Sequence, residues 1–344
     1  MQFDSLFKFP IVQGPMAGGY CTPELVAAVS NAGALGSYPC SLLSPAAIEE
    51  QVSRIRALTD QPFQLNFFVL DAPSPSEDEV RQGIELLRPV WEGLGWSELP
   101  KPTQWCQDFG QQFETLLKLR PAAASFTFGI LDAGQVKRLH DAGITVIGTV
   151  TTVDEALAWE RIGADAVVAS GVEAGGHRGT FIGRQEDATL PARELWPAVA
   201  KAVKIPMIAA GGIMTGADIK KALALGARAV QMGTAFMVTD EAGTHPGHRQ
   251  RILAGGRPTR LTRSFSGRYA RGIENRFMQL METVEPQVPA YPVQNALTGS
   301  IRGAAAKTGD VELMSLWAGT EYERARAMPA AQLVQTLVTE MQAS

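Results

Sequence analysis

The amino-acid sequence predicts an α/β protein built on a (β/α)8 TIM barrel, with a smaller second domain inserted near the C-terminus. Three observations point to this fold. Short apolar runs alternate with amphipathic helical stretches along the 344 residues, which is the pattern of repeated βα units. Glycine closes four of the helical stretches, and glycine also ends the last two apolar runs before residue 240. A doubly wound sheet is the structural alternative.

The first unit shows how each element is predicted. Ile11-Val12-Gln13 has the composition of a short buried strand, and it leads into the loop Gly14–Gly19. Thr22-Pro23-Glu24 predicts a helix start, because threonine caps, proline suits the first helical position and glutamate suits the positive end of the dipole. The helix is expected to end at Asn31-Ala32-Gly33, and the next strand to begin at Ala34.

The helix-to-strand join of the first unit recurs along the chain. Glycine suits it because glycine adopts the left-handed conformation without a steric penalty. The four joins are Asn31-Ala32-Gly33-Ala34, Asp141-Ala142-Gly143-Ile144, Arg161-Ile162-Gly163-Ala164 and Ala224-Leu225-Gly226-Ala227. The eight predicted strands lie near Ile11, Leu35, Leu65, Ala123, Val146, Val167, Met207 and Val230. Thr152 with Glu155, and Thr215 with Asp218, have the spacing of capping boxes.

Two stretches are too long for simple βα connections. Residues 71–119 show helical patterning at 80–87 and predict either a lid over the barrel mouth or a packed pair of surface helices. Their aromatic residues are Trp91, Trp96, Trp105, Phe109 and Phe113. Residues 245–309, rich in Arg, Gly and Pro, predict a smaller domain facing the same mouth, and helices are expected at 311–317 and 330–341. The predicted domains are a barrel domain of residues 1–240 plus 311–344 and a smaller domain of residues 241–310.

Composition and charge argue against several classes of protein. The formal net charge is −4, so we expect no binding face for nucleic acid or for a membrane surface. No apolar window approaches the roughly 20 residues of a membrane helix. Cys21, Cys40 and Cys106 fit no zinc spacing and no disulfide framework, and the N-terminus does not read as a signal peptide. Reduced thiols in the cytoplasm are the simplest interpretation.

The glycine-rich loop after the sixth strand concentrates the polar chemistry of the chain. Ser170-Gly171 follows an apolar run, and Gly175-Gly176-His177-Arg178-Gly179 comes next. Glycine lets backbone N–H groups approach a ligand that a Cβ would keep away. A histidine in such a turn can present an imidazole to that ligand. The structural alternative is a glycine-rich turn with a surface histidine.

The ends of the seventh and eighth strands predict a phosphate site, since barrel proteins often bind phosphate there. The seventh strand ends in Gly211-Gly212 and the eighth in Gly233-Thr234. Glycine N–H groups at a helix start attract a dianion, and Thr234 can add a hydroxyl. Two tight turns that need positive φ are the structural alternative. Met16-Ala17-Gly18, after the first strand, can add further backbone contacts and the polarizable thioether of Met16. Asn66 is a polar residue in an otherwise apolar strand, and a buried asparagine needs hydrogen-bond partners.

Several stretches together match one known family. They are Gln13-Gly14-Pro15-Met16-Ala17-Gly18, Gly171-Val172-Glu173-Ala174-Gly175-Gly176-His177-Arg178-Gly179, Ala209-Ala210-Gly211-Gly212-Ile213, Gln231-Met232-Gly233-Thr234, Arg263-Ser264-Phe265-Ser266-Gly267-Arg268 and Tyr291-Pro292-Val293-Gln294-Asn295. In these stretches, which span nearly the whole chain, the sequence resembles the FMN-dependent nitronate monooxygenases, once called 2-nitropropane dioxygenases.

The resemblance implies a (β/α)8 barrel with non-covalently bound FMN. The implied FMN contacts are Asn66, Gly175, Gly212, Gln231, Met232, Gly233 and Thr234. The loops that carry these residues add Met16, Ala17, Gly18, Ser170, Gly171, Gly176 and Gly211 to the predicted cofactor site. Many members of the family have glutamine at the position of Ser170, and the shorter serine changes that contact. A further glutamine of the family is Thr320 here.

The implied activity is the oxidation of alkyl nitronates with O2 to a carbonyl compound and nitrite, and propionate 3-nitronate is one candidate substrate. By resemblance, His177 is the catalytic residue. As imidazolium it would pair with the nitro oxygens, and as imidazole it could remove an α-proton from a neutral nitroalkane. Tyr291 and Lys307 are the candidates for contacting a substrate carboxylate, and Arg178 is a further candidate beside His177.

The remaining histidines predict no metal site. His140 lies near the end of a helix, where a cation suits the dipole. His245 and His248 flank Pro246-Gly247, which predicts an exposed turn without a third ligand. The expected assembly is a monomer or a homodimer.

Other functions are compatible with parts of the same pattern. FMN-dependent reductases that use NAD(P)H, for quinones or enoyl-ACP, share the barrel and a similar Gly-Gly-His loop, although no second dinucleotide fingerprint is visible here. A non-catalytic flavin- or phosphate-binding module is the alternative from a different class, and His177 among ligand-facing glycines argues against it. A barrel like inosine monophosphate dehydrogenase would need a cysteine after a glycine loop, and none stands there.

Overall fold

The computed structural model describes residues 3–343 and confirms the predicted (β/α)8 barrel. Its strands are β1 (Ile11–Gln13), β2 (Gly36–Pro39), β3 (Phe63–Phe68), β4 (Ala123–Thr127), β5 (Thr145–Val150), β6 (Ala166–Ser170), β7 (Gly176–His177), β8 (Met207–Ala210), β9 (Ala229–Met232), β10 (Thr259–Thr262) and β11 (Ala270–Ile273). Eight parallel strands form one sheet in the order β1-β9-β8-β6-β5-β4-β3-β2. A parallel bridge between Val12 and Leu35 joins β1 to the start of β2 and closes the ring.

Some helices pack around the outside of the barrel, and others contribute to a second apolar core described below. The helices are α1 (Pro23–Asn31), α2 (Pro45–Leu58), α3 (Glu77–Leu86), α4 (Arg88–Gly93), α5 (Phe109–Leu119), α6 (Ala133–Asp141), α7 (Val153–Arg161), α8 (Ala192–Ala202), α9 (Gly216–Ala224), α10 (Pro246–Ala254), α11 (Arg276–Met281), α12 (Val293–Leu297), α13 (Gly299–Thr308) and α14 (Ala330–Ala343). The four predicted glycine joins are confirmed, because Gly33, Gly143, Gly163 and Gly226 all have positive φ, between 76° and 96°.

Two of the predicted helix starts are confirmed. Thr22 caps α1 by accepting the N–H of Leu25 at 3.0 Å, with Pro23 in the first turn. Thr215 and Asp218 form a complete capping box at α9.

Only one of the two hydrogen bonds of the capping box predicted for α7 is present. Thr152 accepts the N–H of Glu155 as expected. The Glu155 carboxylate instead accepts hydrogen bonds from Thr151 and from the N–H groups of Phe181 and Ile182, and it is fully buried. These donors satisfy a buried carboxylate better than one cap N–H would, so Glu155 ties α7 to the glycine-rich loop.

The apolar side chains form a barrel core and a second core. The barrel core lies between the sheet and the outer helices and includes Trp159 on α7. A smaller apolar cluster lies inside the barrel and includes Phe3 and Leu6 from the N-terminal segment. The buried residues of the second core are Tyr20 and side chains from three stretches of the chain: 87–99, 237–305 and 313–322. The division into domains at residues 241 and 310 remains a prediction.

Residues 71–119 form helices that belong to these cores. Gly83 on α3 packs against Pro289 and Leu297, so that an added Cβ would lie 2.7 Å from either side chain. The predicted aromatic cluster is therefore divided: three tryptophans join the second core, and the two phenylalanines join the barrel core. In the described chain no residue of this stretch lines the cavity described below, which favours the packed-helix alternative, and the lid stays a prediction.

The helix predicted for residues 311–317 is wrong, whereas the helix predicted for 330–341 is confirmed as α14. Residues Val311–Leu313 form a single 3-10 turn, and the chain then runs extended beside β11. Ile273 donates to the carbonyl of Leu316 at 2.8 Å. Leu313 and Leu316 are buried in the second core, so their apolar spacing reflects extended packing instead of a helix face.

Strand β7 places the predicted catalytic histidine on a sheet that the sequence did not predict. The antiparallel sheet β10-β11-β7 joins the loop after β6 to the segment after β9. His177 pairs with Ala270, and the N–H of Arg178 donates to the carbonyl of Tyr269 at 2.8 Å. The sequence predicted a free loop there, because a two-residue strand carries no periodic signal.

Candidate active site

A cavity of about 730 Å³ opens at the carboxyl ends of the barrel strands and extends to the second core. A cavity of this size is typical of a site for a small molecule or cofactor. The predicted site residues that line it are Met16, Ala17, Gly18, Asn66, Ser170, Gly175, Gly176, His177, Gly211, Gly212, Gln231, Met232, Gly233, Thr234 and Tyr291. The fold therefore brings residues from five barrel strands and from the second core to one space.

Gly171 and Lys307 lie outside this lining. A Cβ on Gly171 would lie 2.6 Å from Ala192 and from the Glu173 carboxylate, so helix packing explains this glycine. Lys307 lies on α13 with its side chain exposed to solvent. Its role as a contact for substrate stays a prediction, because Gly303, one helical turn earlier, lines the cavity whereas Lys307 itself does not.

Arg178 also points away from the cavity. Its guanidinium donates to the carbonyls of Gly171 at 2.7 Å and Ala188 at 3.1 Å, and one Nη lies 3.4 Å from Ser170 Oγ. The side chain is only 1% exposed. Arg178 thus holds the glycine-rich loop from inside, because neighbouring residues on a strand point to opposite faces.

The edge formed by the ends of β8 and β9 has the features of an anion site. Gly211 and Gly212 have φ of 111° and 71°. In the described part of the chain, the N–H groups of Gly212 and Gly233 donate to no protein acceptor. Thr234 Oγ1 accepts the N–H of Gly319 at 3.0 Å, which leaves the hydroxyl proton free to donate. Unpaired N–H groups and a hydroxyl at the start of a short helix suit a phosphate.

Asn66 presents an acceptor to the same cavity. Its Nδ2 donates to Ser125 Oγ at 3.0 Å and to the Ser125 carbonyl at 3.2 Å, so the amide nitrogen is satisfied by the protein. The amide oxygen accepts no hydrogen bond from the described residues and is not enclosed by protein atoms. It is therefore open to the cavity. A ligand with N–H or O–H groups fits this position.

His177 lines the same cavity and is enclosed by aromatic rings. The ring centroids of Phe128, Tyr291 and Trp317 lie 5.6, 5.7 and 5.3 Å from the imidazole, each edge to face. His177 Nε2 lies 2.9 Å from Ser266 Oγ. Nδ1 has no hydrogen-bond partner among the described residues, but protein atoms do not enclose it. It therefore faces the cavity.

The imidazole of His177 is neutral in this environment. Burial lowers its pKa to about 3, and the positive charges of Arg268 and Arg302 act in the same direction. An anion bound in the cavity would oppose those charges and raise the pKa. A neutral imidazole can accept a proton at one nitrogen while it donates from the other.

Arg302 supplies the positive charge that faces the cavity. It lies on α13, and its Nε and Nη2 donate to Thr298 Oγ1 at 3.2 Å and to Asn295 at 2.7 and 3.0 Å. Within residues 3–343 it forms no ion pair with a carboxylate. Its Nη1 has no hydrogen-bond acceptor there and is not enclosed by the protein, so it is open to the cavity. Arginine stays protonated in proteins, so the cavity wall carries a cation without a counter-ion.

The sequence did not single out Arg302, Phe128, Trp317 or Ser266. Phe128 follows β4 directly, so a survey of every strand end would have found it. Ser266 stands in one of the stretches that carried the family resemblance, and Trp317 lies three residues before Thr320, where the family has a glutamine. Arg302 gave no signal, because Arg-Gly in a helix of mixed composition is typical of a solvated face.

His245 and His248 do not form the exposed turn that the sequence predicted. His245 caps α10 by accepting the N–H of Gly247 at 3.1 Å. His248 is fully buried against the ring of Tyr20, and neither ring nitrogen has a protein partner.

Within residues 3–343, no cluster of three or more His, Cys, Asp or Glu side chains could hold a metal ion. The helices of that part of the chain are all too short or too polar to cross a bilayer.

Comparison with known proteins identifies relatives that cover nearly the whole chain. The model of the family described as nitronate monooxygenase matches residues 3–340. A protein of Bacillus subtilis described as a probable nitronate monooxygenase is 43% identical over 315 residues, covering 90% of this chain and 89% of that protein. A protein of Staphylococcus haemolyticus with the same description is 40% identical, covering 97% and 94% of the two chains.

Solved structures agree with this comparison. A nitroalkane oxidase from Streptomyces ansochromogenes superposes with a TM-score of 0.90 at 41% identity, covering 98% of this chain and 97% of that chain. FabK from Thermotoga maritima superposes with a TM-score of 0.76 at 28% identity, covering 99% and 95%. The overall fold of this chain is therefore shared with proteins of known structure.

Proposed function

Because the chain belongs to the nitronate monooxygenase family, we propose that it binds FMN in this cavity and oxidises alkyl nitronates with O2 to a carbonyl compound and nitrite. Family membership makes the protein a flavin-dependent oxidoreductase of nitro compounds. The proposal adds FMN, O2, the substrate and the roles of individual residues. Two nitronate anions and one O2 balance as two carbonyl compounds and two nitrite ions.

The residues at the ends of β8 and β9 fit the phosphate of FMN. The N–H groups of Gly212 and Gly233 and the hydroxyl of Thr234 are donors without a protein acceptor. Asn66 and Gln231 would contact the polar parts of the cofactor, and Met16 would offer its thioether to the ring. Bound FMN supplies the electron-accepting chemistry and the reactivity toward O2.

The positive wall of the cavity suits an anionic substrate. Arg302 would attract a nitronate, since it faces the cavity without a carboxylate partner. The rings of Phe128, Tyr291 and Trp317 leave an apolar space beside His177, which fits a short alkyl group. Simple alkyl nitronates and propionate 3-nitronate both meet these conditions.

His177 would act on the carbon end of the substrate. With its pKa lowered by burial and by the charges of Arg268 and Arg302, the imidazole is neutral, and pairing as imidazolium is disfavoured. Nδ1 can accept the α-proton of a neutral nitroalkane, and a bound anion would strengthen it as a base. A nitronate needs no such step, because it is already deprotonated.

The observation that carries the proposal is the shared cavity. One space joins an anion-binding edge, a histidine with a free ring nitrogen and an unpaired arginine. A reductase of the same fold would share the barrel and a similar Gly-Gly-His loop but would take its electrons from NAD(P)H, so the electron donor separates the two functions. We further propose a cytoplasmic protein, since Cys21, Cys40 and Cys106 are free thiols, acting as a monomer or homodimer.

Anaerobic stopped-flow absorbance tests the proposal. The FMN-loaded protein is mixed separately with ethylnitronate, propionate 3-nitronate and NADH. We expect a nitronate to reduce the flavin and NADH to leave it oxidised, with the faster nitronate identifying the preferred substrate. Reduction by NADH alone would contradict the proposal and favour an NAD(P)H-dependent reductase. A protein that takes up no FMN would contradict the phosphate site.

A further inference from the structure

Ser266 is the one protein group that hydrogen-bonds the ring of His177 in the described part of the chain. It lies in the turn after β10, where the N–H groups of Ser266 and Gly267 both donate to the carbonyl of Arg263. The side chain is 1% exposed. Its position is therefore set by backbone hydrogen bonds and by burial, and solvent does not compete for its hydroxyl.

The hydrogen bonds at Ser266 Oγ determine where the ring proton of His177 resides. Oγ lies 2.9 Å from His177 Nε2, 3.0 Å from the carbonyl oxygen of Arg268 and 3.4 Å from the N–H of Arg268. A carbonyl can only accept, so the contacts to Arg268 O and to Nε2 are both hydrogen bonds only when the single hydroxyl proton goes to Arg268 O. Oγ must then accept from Nε2, which places the proton of the neutral imidazole on Nε2.

Arg268 keeps this arrangement rigid. Its Nε donates to the carbonyl of Arg178 at 2.9 Å, its Nη2 donates to the carbonyl of Thr180, and the guanidinium lies 4.1 Å over the ring of Phe128. These contacts tie the backbone of the Ser266 turn to the strand that carries His177. The acceptor for the serine proton is thus fixed relative to the imidazole.

We propose that Ser266 is a positioning residue that holds His177 as the Nε2–H tautomer and so presents an unprotonated Nδ1 to the substrate. The proposal rests on the proposed function for the reaction that Nδ1 performs. In that reaction the α-C–H bond of a neutral nitroalkane breaks, the proton moves to Nδ1, and the electron pair forms the C=N bond of the nitronate. Without Ser266 the ring could turn or change tautomer, and Nδ1–H could no longer act as a base.

Nitrogen NMR of the FMN-loaded protein tests the tautomer directly. Protein labelled with ¹⁵N-histidine is compared with His177→Gln to assign the ring signals. We expect wild type and Ser266→Thr to carry the proton on Nε2, and Ser266→Ala to show Nδ1–H or a mixture of tautomers. The matched control is Ser264→Ala: Ser264 is buried in the same turn but bonds Thr262 and Glu285, so its loss should leave His177 unchanged.

Kinetics provide a second readout that a general loss of structure would not produce. For Ser266→Ala we expect kcat/KM for nitroethane to fall by about 10-fold to 100-fold, the scale of a general base that is poorly placed. Turnover of ethylnitronate should fall much less, because this substrate needs no proton removal, and Ser266→Thr should restore nitroethane turnover.

Two results would overturn the proposal. One is a wild-type His177 that carries its proton on Nδ1. The other is a Ser266→Ala variant that keeps both the Nε2–H tautomer and full activity on nitroethane. If wild type oxidised neither substrate, the proposed function would fail, and the NMR comparison would still decide whether Ser266 fixes the tautomer.

Discussion

At the scale of single residues, the site depends on which cation faces the cavity. Lys307 and Arg302 lie on the same helix, α13, five positions apart, and one helical turn holds 3.6 residues. That spacing puts them on different faces. Arg302 lines the cavity, whereas Lys307 is exposed to solvent. Arg302 is therefore the cation of α13 that the structure places at the cavity wall.

Replacement of Arg302 by methionine is expected to weaken the binding of anionic substrates. Methionine keeps an apolar stem of similar length but loses the charge, and a hydrogen bond to a charged group contributes about 1.5–3 kcal/mol. We expect kcat/KM for ethylnitronate to fall by about 10-fold or more by this estimate, mainly through KM. Steady-state kinetics with nitrite detection would measure the change.

Lys307→Met is the matched control for Arg302→Met, since it removes the exposed cation of the same helix. We expect its kinetic constants to equal those of wild type. Melting temperatures of both variants separate binding from folding, because Arg302 also bonds Asn295 and Thr298. An Arg302→Met protein with unchanged KM for ethylnitronate would contradict the assignment.

At the scale of elements, strand β5 contributes no side chain at the point where helix α7 packs on it. Gly148 on β5 lies directly under the indole of Trp159, and an added Cβ would overlap the ring atoms. Trp159 is fully buried and stacks on Phe126 at 6.2 Å between centroids. Glycine here is required by close approach, as its φ is not in the left-handed region.

Gly148→Ala is expected to destabilise the barrel. Overpacking a dense core typically costs 1–3 kcal/mol, so we expect the free energy of unfolding to fall by about 1–3 kcal/mol. Urea unfolding followed by tryptophan fluorescence would measure it. Gly93→Ala is the control, because nothing lies within 4 Å of a Cβ there. Equal midpoints for Gly148→Ala and wild type would show that α7 can shift to make room.

At the scale of the whole molecule, buried histidines link folding to pH. Burial lowers the pKa of His248 to about 3, and the nearby His245 adds to the shift. Both ring nitrogens of His248 lack a protein partner in the described chain. Between pH 6.5 and about 3 the unfolded chain binds a proton at this residue that the folded protein does not. Stability therefore falls as the pH decreases through this window.

His248→Phe is expected to reduce this acid sensitivity, because phenylalanine keeps the edge-to-face contact with Tyr20 and cannot titrate. The slope of the unfolding free energy against pH should become smaller by up to about 1.4 kcal/mol per pH unit below pH 6. Urea unfolding at a series of pH values would measure it. Above pH 7 the two proteins should show parallel curves, and equal slopes at pH 4–6 would contradict the prediction.

The sequence by itself determined the barrel and most of the cavity edge. Each βα unit is local: the apolar runs, the caps such as Thr215 with Asp218, and glycines such as Gly33 and Gly163 act within a few residues. Parallel strands all end at the same edge of a barrel, so the residues after each strand meet without further information. His177, Gly212 and Thr234 could be placed in one site for this reason.

Only the tertiary structure decided how those residues are used. Ser266 bonds His177 across 89 positions, and the choice between Arg302 and Lys307 depends on how the second core seats α13 over the barrel. Arg178 turned inward because two backbone carbonyls lie beneath it. Periodicity encodes local backbone and apolar faces, whereas hydrogen bonds between distant segments depend on the relative placement of two cores, which no local pattern specifies.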